Sequence, residues 1–111
     1  PVDNIMPLSE LKMLKNLNIE NTPVSDLNPI TDMKNIKVLN IGGTSVRNLK
    51  PLMGLEALED LSIVNTGIKS IEPLMELQSM KHLKAYKTKI KNKSIELLKL
   101  KHPDLNIIYY W

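Results

Sequence analysis

The sequence predicts an α/β fold: a right-handed solenoid with a parallel β-sheet on its concave face and short 3₁₀ or α-helices on its convex side. Three observations lead there. Proline recurs at Pro7, Pro29, Pro51 and Pro73, each 22 residues after the last. Leucine keeps the same period at Leu17, Leu39, Leu61, Leu83 and Leu105, followed two positions later by Ile19, Ile41, Ile63, Ala85 and Ile107. Threonine follows at Thr22, Thr44, Thr66 and Thr88, and then Val24, Val46, Ile68 and Ile90. A fixed period of this length marks a repeat architecture, in which one unit cannot bury its own apolar stripe and does so by stacking on its neighbours. Parallel strands joined by such crossovers coil right-handed.

Each element of the period has its own local cause. Leu17-Asn18-Ile19 alternates apolar and polar, the pattern of a strand with one buried face. Small or polar residues such as Gly42-Gly43-Thr44 and Asn65-Thr66-Gly67 then turn the chain, and the Gly42-Gly43 corner is a place where a positive φ is expected. Proline's fixed φ and missing N–H suit the first position of a short helix, and Asn28 before Pro29 is a candidate N-cap. Ile30, Met33 and Ile36 then share one helical or 3₁₀ face.

The last period departs from this rule. Ile95 takes the proline position, and Ser94 to Lys101 reads as a longer amphipathic α-helix with lysine near its C-terminal end, where the helix dipole favours cations. His102-Pro103 stops it, and Leu105 and Ile107 open a final strand. Residues 1–88 are therefore expected to form about four repeats, the first truncated, and residues 89–111 a C-terminal capping repeat. At the other end Val2, Ile5, Pro7 and Leu8 match Val24, Leu27, Pro29 and Ile30, so the chain opens in mid-repeat. The expectation is a piece of a longer protein, with more repeats or another domain before Pro1.

Composition agrees with thin, identical packing layers. The chain has 111 residues, enough for one domain, with 18 Leu and 12 Ile but no Phe and only two Ala. The absence of cysteine excludes a disulfide scaffold, a thiolate zinc site and a thiol nucleophile. No apolar run approaches the roughly 20 residues that span a membrane, so no insertion is expected.

The repeat resembles the leucine-rich-repeat family, whose pattern is matched by Leu14-x-x-Leu17-x-Ile19-x-x-Thr22-x-Val24. The 22-residue length and the Pro-Leu pair are similar to the short bacterial subclass that includes internalin-like repeats. Thr22, Thr44, Thr66 and Thr88 stand where that family usually places Asn, a Gly-Thr or Asn-Thr variant; a hydroxyl offers one donor where an amide offers two. The resemblance implies a non-catalytic module that binds a protein or peptide through its concave sheet face and edges. An alternative is a regulatory or localising terminal domain of a larger bacterial enzyme or signalling protein, such as a protein kinase.

No catalytic motif, metal-ligand spacing or phosphate loop is present in the sequence, so neither enzymatic activity nor a cofactor is expected. Candidate binding residues come from strand alternation, which places one set of side chains outward. The first column reads Asn16, Val38, Asp60, His82 and Asp104, and the second Asn18, Asn40, Ser62, Lys84 and Asn106. The third reads Glu20, Gly42, Val64, Tyr86 and Ile108, with Tyr110 and Trp111 as its extension. It becomes apolar towards the C-terminal end and so offers an anchor or a shield for the cap. Five short strands give a sheet of about 300 Å², against about 800 Å² per side for a standard stable interface, so turns and flanks must contribute. Residues 81–101 hold eight lysines and one glutamate, a solvated surface or a basic patch. With no arginine and only Tyr86 in that stretch, nucleic acid is a poor fit.

Overall fold

A computed structural model describes residues 4–109. Five three-residue strands form one parallel sheet in sequence order: β1 (Asn16–Asn18), β2 (Val38–Asn40), β3 (Asp60–Ser62), β4 (His82–Lys84) and β5 (Asn106–Ile108). Each crossover from β1 to β4 passes through a 3₁₀ turn, Asn28–Ile30, Lys50–Leu52 or Glu72–Leu74, with proline at its start. A similar turn, Met6–Glu10, precedes β1. Leu17, Leu39, Leu61 and Leu83 meet as register partners across the sheet, and their side chains are buried. They pack against the inward residues of the convex turns, of which Ile30, Leu52 and Leu74 are wholly buried. This is the layered Leu/Ile core that the columns predict.

One detail of the turns differs from the sequence reading. Asn28 is not the cap. The N–H of Asn28 is itself accepted by Asp26 Oδ1 (2.9 Å), and Lys50 N by Asn48 Oδ1 (2.9 Å). Glu72 N is held by Ser70 Oγ (3.3 Å), and Met6 N by Asn4 Oδ1 (2.9 Å). The capping side chain thus sits two residues earlier, in a column of Asn4, Asp26, Asn48 and Ser70 that keeps the 22-residue period. These are the short polar residues that hold a backbone N–H two positions on.

The threonine column has an equally local task. Thr22, Thr44, Thr66 and Thr88 each donate their hydroxyl to the carbonyl three residues back, at 2.7–2.9 Å. Thr44 and Thr88 also lie 3.4 Å from the N–H of Val46 and Ile90. One hydroxyl therefore closes the turn after each strand, which is why a side chain smaller than Asn suffices there.

Immediately before each threonine the backbone is left-handed, at Asn21 (φ 59°), Gly43 (φ 66°), Asn65 (φ 57°) and Lys87 (φ 55°). Asn and Gly tolerate this region; lysine does not. Lys87→Asn should therefore raise stability by about 1 kcal/mol, seen as a higher urea midpoint at unchanged slope. An unchanged or lower midpoint would show that the Lys87 side chain compensates for its own backbone.

The final crossover is where the fold leaves the simple period. An α-helix, α1 (Asn92–Lys101), replaces the 3₁₀ turn and starts two residues earlier than Ser94. Its buried residues are Ile95 and Leu98. Relative to the buried Ile90, the inward position that Ile71 occupies in the preceding repeat comes two residues late, at Ile95. β5 inherits the delay: His82 pairs with Asn106, Leu83 with Ile107 and Lys84 with Ile108. The expected partners two residues earlier, with Leu105 opposite Leu83, are corrected accordingly. An α-helix rises about 1.5 Å per residue against about 2.0 Å for a 3₁₀ helix, so the same span takes more residues. His102 fixes the end of the helix by donating Nε2–H to Met75 O (2.6 Å), and Tyr109 donates its hydroxyl to Ile90 O.

Candidate functional site

The concave sheet face is built from alternate residues of strands whose other residues are locked in the core. Asn16, Val38, Asp60 and His82 are register partners along it, and β5 continues the row with Asn106 in place of Asp104. The second row is Asn18, Asn40, Ser62, Lys84 and then Ile108, in place of Asn106. Glu20, Val64 and Tyr86 follow beyond the strand ends, with Glu20 exposed and the other two half-buried. Ile108, 37% exposed, is therefore the register neighbour of Lys84. The predicted Val64–Tyr86–Ile108 column does not exist as one row. The suggested extension through Tyr110 and Trp111 lies outside the described residues.

A shallow depression of about 370 Å³ occupies the middle of this face. Val38, Asn40, Asp60, Ser62, His82 and Lys84 line it. Beyond the end of β2 the chain passes close to its neighbour at Gly42, where a Cβ would lie 3.1 Å from Val64 O and 3.2 Å from Asn40 Oδ1. The walls mix an apolar Val38, 38% exposed, with the Asp60 carboxylate and the Lys84 ammonium. Such a surface offers charged, hydrogen-bonding and apolar contact within one small area.

Not every predicted side chain is equally available. Asn18 Oδ1 accepts the N–H of Glu20 (2.9 Å), and Asn40 Oδ1 that of Gly42 (3.0 Å). Both amides thus hold the turn that follows their own strand, which leaves their N–H₂ ends and one lone pair of each Oδ1 for a ligand. Asn106 Nδ2 donates to His82 Nδ1 (3.3 Å), so the His82 Nε2 is the end left facing outward. Sequence alternation finds the outward positions, and misses which of them are already engaged.

Among the described residues, no three His, Cys, Asp or Glu side chains converge as a metal site would require. No described helix is long and apolar enough to cross a membrane. The two ion pairs between described residues, Lys81–Glu59 (3.6 Å) and Lys101–Glu76 (3.2 Å), tie adjacent repeats together on the surface. At their exposure each is worth well under about 1 kcal/mol.

The parallel one-residue-column sheet, the prolyl 3₁₀ turns and the 22-residue register define a leucine-rich-repeat solenoid. Within that class the architecture is internalin-like. An internalin (inlF) from Listeria monocytogenes superimposes with a TM-score of 0.86 at 28% identity, over 96% of this chain and 31% of that one. Internalin C2 from the same organism gives 0.87 at 29% identity, over 96% of this chain and 46% of that one. The plant peptide hormone receptor RGFR1, solved in complex with RGF2, shares the fold alone, with a TM-score of 0.74 at 16% identity over 99% of this chain and 19% of the receptor. The chain spans about a third to a half of the length of the two internalins. No protein-family profile and no curated protein matches the sequence. Leucine-rich-repeat domains are typically non-catalytic and generally serve as protein-interaction modules.

Proposed function

We propose that this chain binds a protein or peptide on its concave face, with the depression between β2 and β4 as the contact centre. The observation that carries this reading is the accessible group around that depression: Val38, Asp60, Ser62, His82 and Lys84, presented at fixed spacing by strands whose intervening residues are buried. Val64, Tyr86 and Ile108 add apolar surface next to it, and Asn16, Asn18, Glu20 and Asn40 a polar margin. The described strands offer about 300 Å² at most, a match for a short extended segment and less than half of a standard protein interface. Residues 89–111 serve in this reading as the closing unit, with α1 and β5 covering the last full repeat.

The test is selection from a displayed random dodecapeptide library, followed by affinity measurement on variants. Val38→Lys and Lys84→Ala should each weaken the selected peptides about tenfold, with the thermal midpoint kept within a few degrees. The convex Met53→Lys should leave affinity intact. Retained affinity in both concave variants would place the binding surface elsewhere.

A further inference from the structure

We propose that one flank of the solenoid, the chain leaving each strand for the convex side, is a docking surface for a densely sulfated linear polysaccharide. Of the four such segments, the first, 21–26, has no basic residue and one acidic one, Asp26; the other three, 43–48, 65–70 and 87–93, carry Arg47, Lys69, Lys87, Lys89, Lys91 and Lys93 and no acidic residue. All six are exposed. The return flank, by contrast, mixes lysines with Asp32, Glu56, Glu59 and Glu76 in near balance.

The repeat aligns the cations. Arg47, Lys69 and Lys91 each follow the buried residue of one column, Val46, Ile68 and Ile90, so they form a row with one positive charge in each of three successive repeats; the first repeat has Ser25 there, after Val24. A backbone hydrogen bond from Lys89 N to Ile68 O (3.1 Å) holds the last two of these segments together, and one from Ser45 N to Val24 O (2.9 Å) ties 43–48 to the segment before it, as neighbouring strands are held at a spacing near 5 Å. The Arg47 side chain reaches along this row: its Nε and Cγ lie 3.5 and 3.6 Å from where a Gly67 Cβ would be. None of the six cations is in an ion pair with a described residue.

A second observation is that one of these charges, Lys91, stands where it does not favour the fold. Lys91 is the N-cap of α1, and the first helical turn has neither a side-chain cap bond nor an acidic residue. Lysine there faces the positive end of the helix dipole, where Ser or Asp would stabilise. Like charges at one-repeat spacing repel, and a bound polyanion relieves that repulsion.

The form of the row selects the ligand. Stacking aromatics are absent from all three segments, which disfavours single-stranded nucleic acid. Large apolar side chains on the three segments are the buried ones, which disfavours insertion into a lipid surface. A polysaccharide with one carboxylate per disaccharide leaves alternate rungs unmatched; a densely sulfated one does not.

The probe is a heparin octasaccharide, titrated into the full chain between about 50 mM and 200 mM salt. The triple variant Arg47→Ser/Lys69→Ser/Lys91→Ser should bind at least tenfold more weakly. Its dependence of log K on log salt should be shallower by about one per cation removed. A triple of the same charge change on the return flank, Lys34→Ser/Lys37→Ser/Lys81→Ser, should bind within about twofold of the parent. Lys91→Ser alone should raise the urea midpoint while weakening heparin. Equal losses in the two triples, no binding by the parent chain, or tighter binding of a single-stranded oligonucleotide than of heparin would each overturn the proposal.

Discussion

Leu61→Ala should destabilise the chain by about 3 kcal/mol, and Leu17→Ala by clearly less. Leu61 sits in the middle strand with a leucine register partner on each side, Leu39 and Leu83, and is 2% exposed. Truncating it removes apolar contact from two interfaces at once and leaves a cavity between layers that cannot collapse independently. Leu17 makes the same contact on one side, with Leu39, and is 8% exposed. In a stacked array stability is the sum of unit and nearest-neighbour terms, so the central loss is the larger. Urea unfolding of the two variants checks this. Equal midpoints would mean that the stack does not transmit the loss between neighbours.

Gly43→Ala should cost about 1–2 kcal/mol, whereas Gly67→Ala should be close to neutral. At Gly43 φ is +66°, and a Cβ would stand 2.1 Å from Asn21 Oδ1. The alanine therefore strains its own backbone and displaces the side chain that occupies the same corner in the preceding repeat. At Gly67 φ is ordinary, and a Cβ would make normal contact, 3.5 Å from Arg47 Nε. Thermal melts of the pair separate conformation from space. A large loss at Gly67 would mean that the flank is packed more tightly than its contacts imply.

Much of this fold is legible in the sequence because apolar identity is enforced at every layer. A column such as Leu17, Leu39, Leu61, Leu83 has to be apolar to fill the core, so its period is visible and gives the register of β1 to β4 directly. The left-handed corners are harder to see. Their column reads Asn21, Gly43, Asn65, Lys87, and the last residue carries no hint of the conformation it adopts. The capping column is as regular as the leucines, but Asn, Asp and Ser are common in any loop, so Asn28 beside the proline drew the assignment. β5 was misplaced for a different reason. The two extra residues lie between Ile90 and Ile95, where every exposed position is polar and the count cannot be read from the pattern. The outward residues of the sheet were legible from alternation alone. Their hydrogen-bond commitments were not, because Asn18 and Asn40 turn back on their own chain.

The common register of β1 to β4 also sets the rules of copying for the gene. Because Asn40 pairs with Ser62, and Ile41 holds the place that Ile63 holds one layer on, removing residues 41–62 would join Asn40 to Ile63 with every remaining partner still in phase. Duplicating the same stretch would lengthen the stack just as quietly. Unequal recombination can therefore change the length of this protein in whole units without passing through a misfolded intermediate form. The step from β4 to β5 has no such freedom: its two additional residues make it a unit that cannot be exchanged with the others, so copies can be gained or lost before it while it stays single.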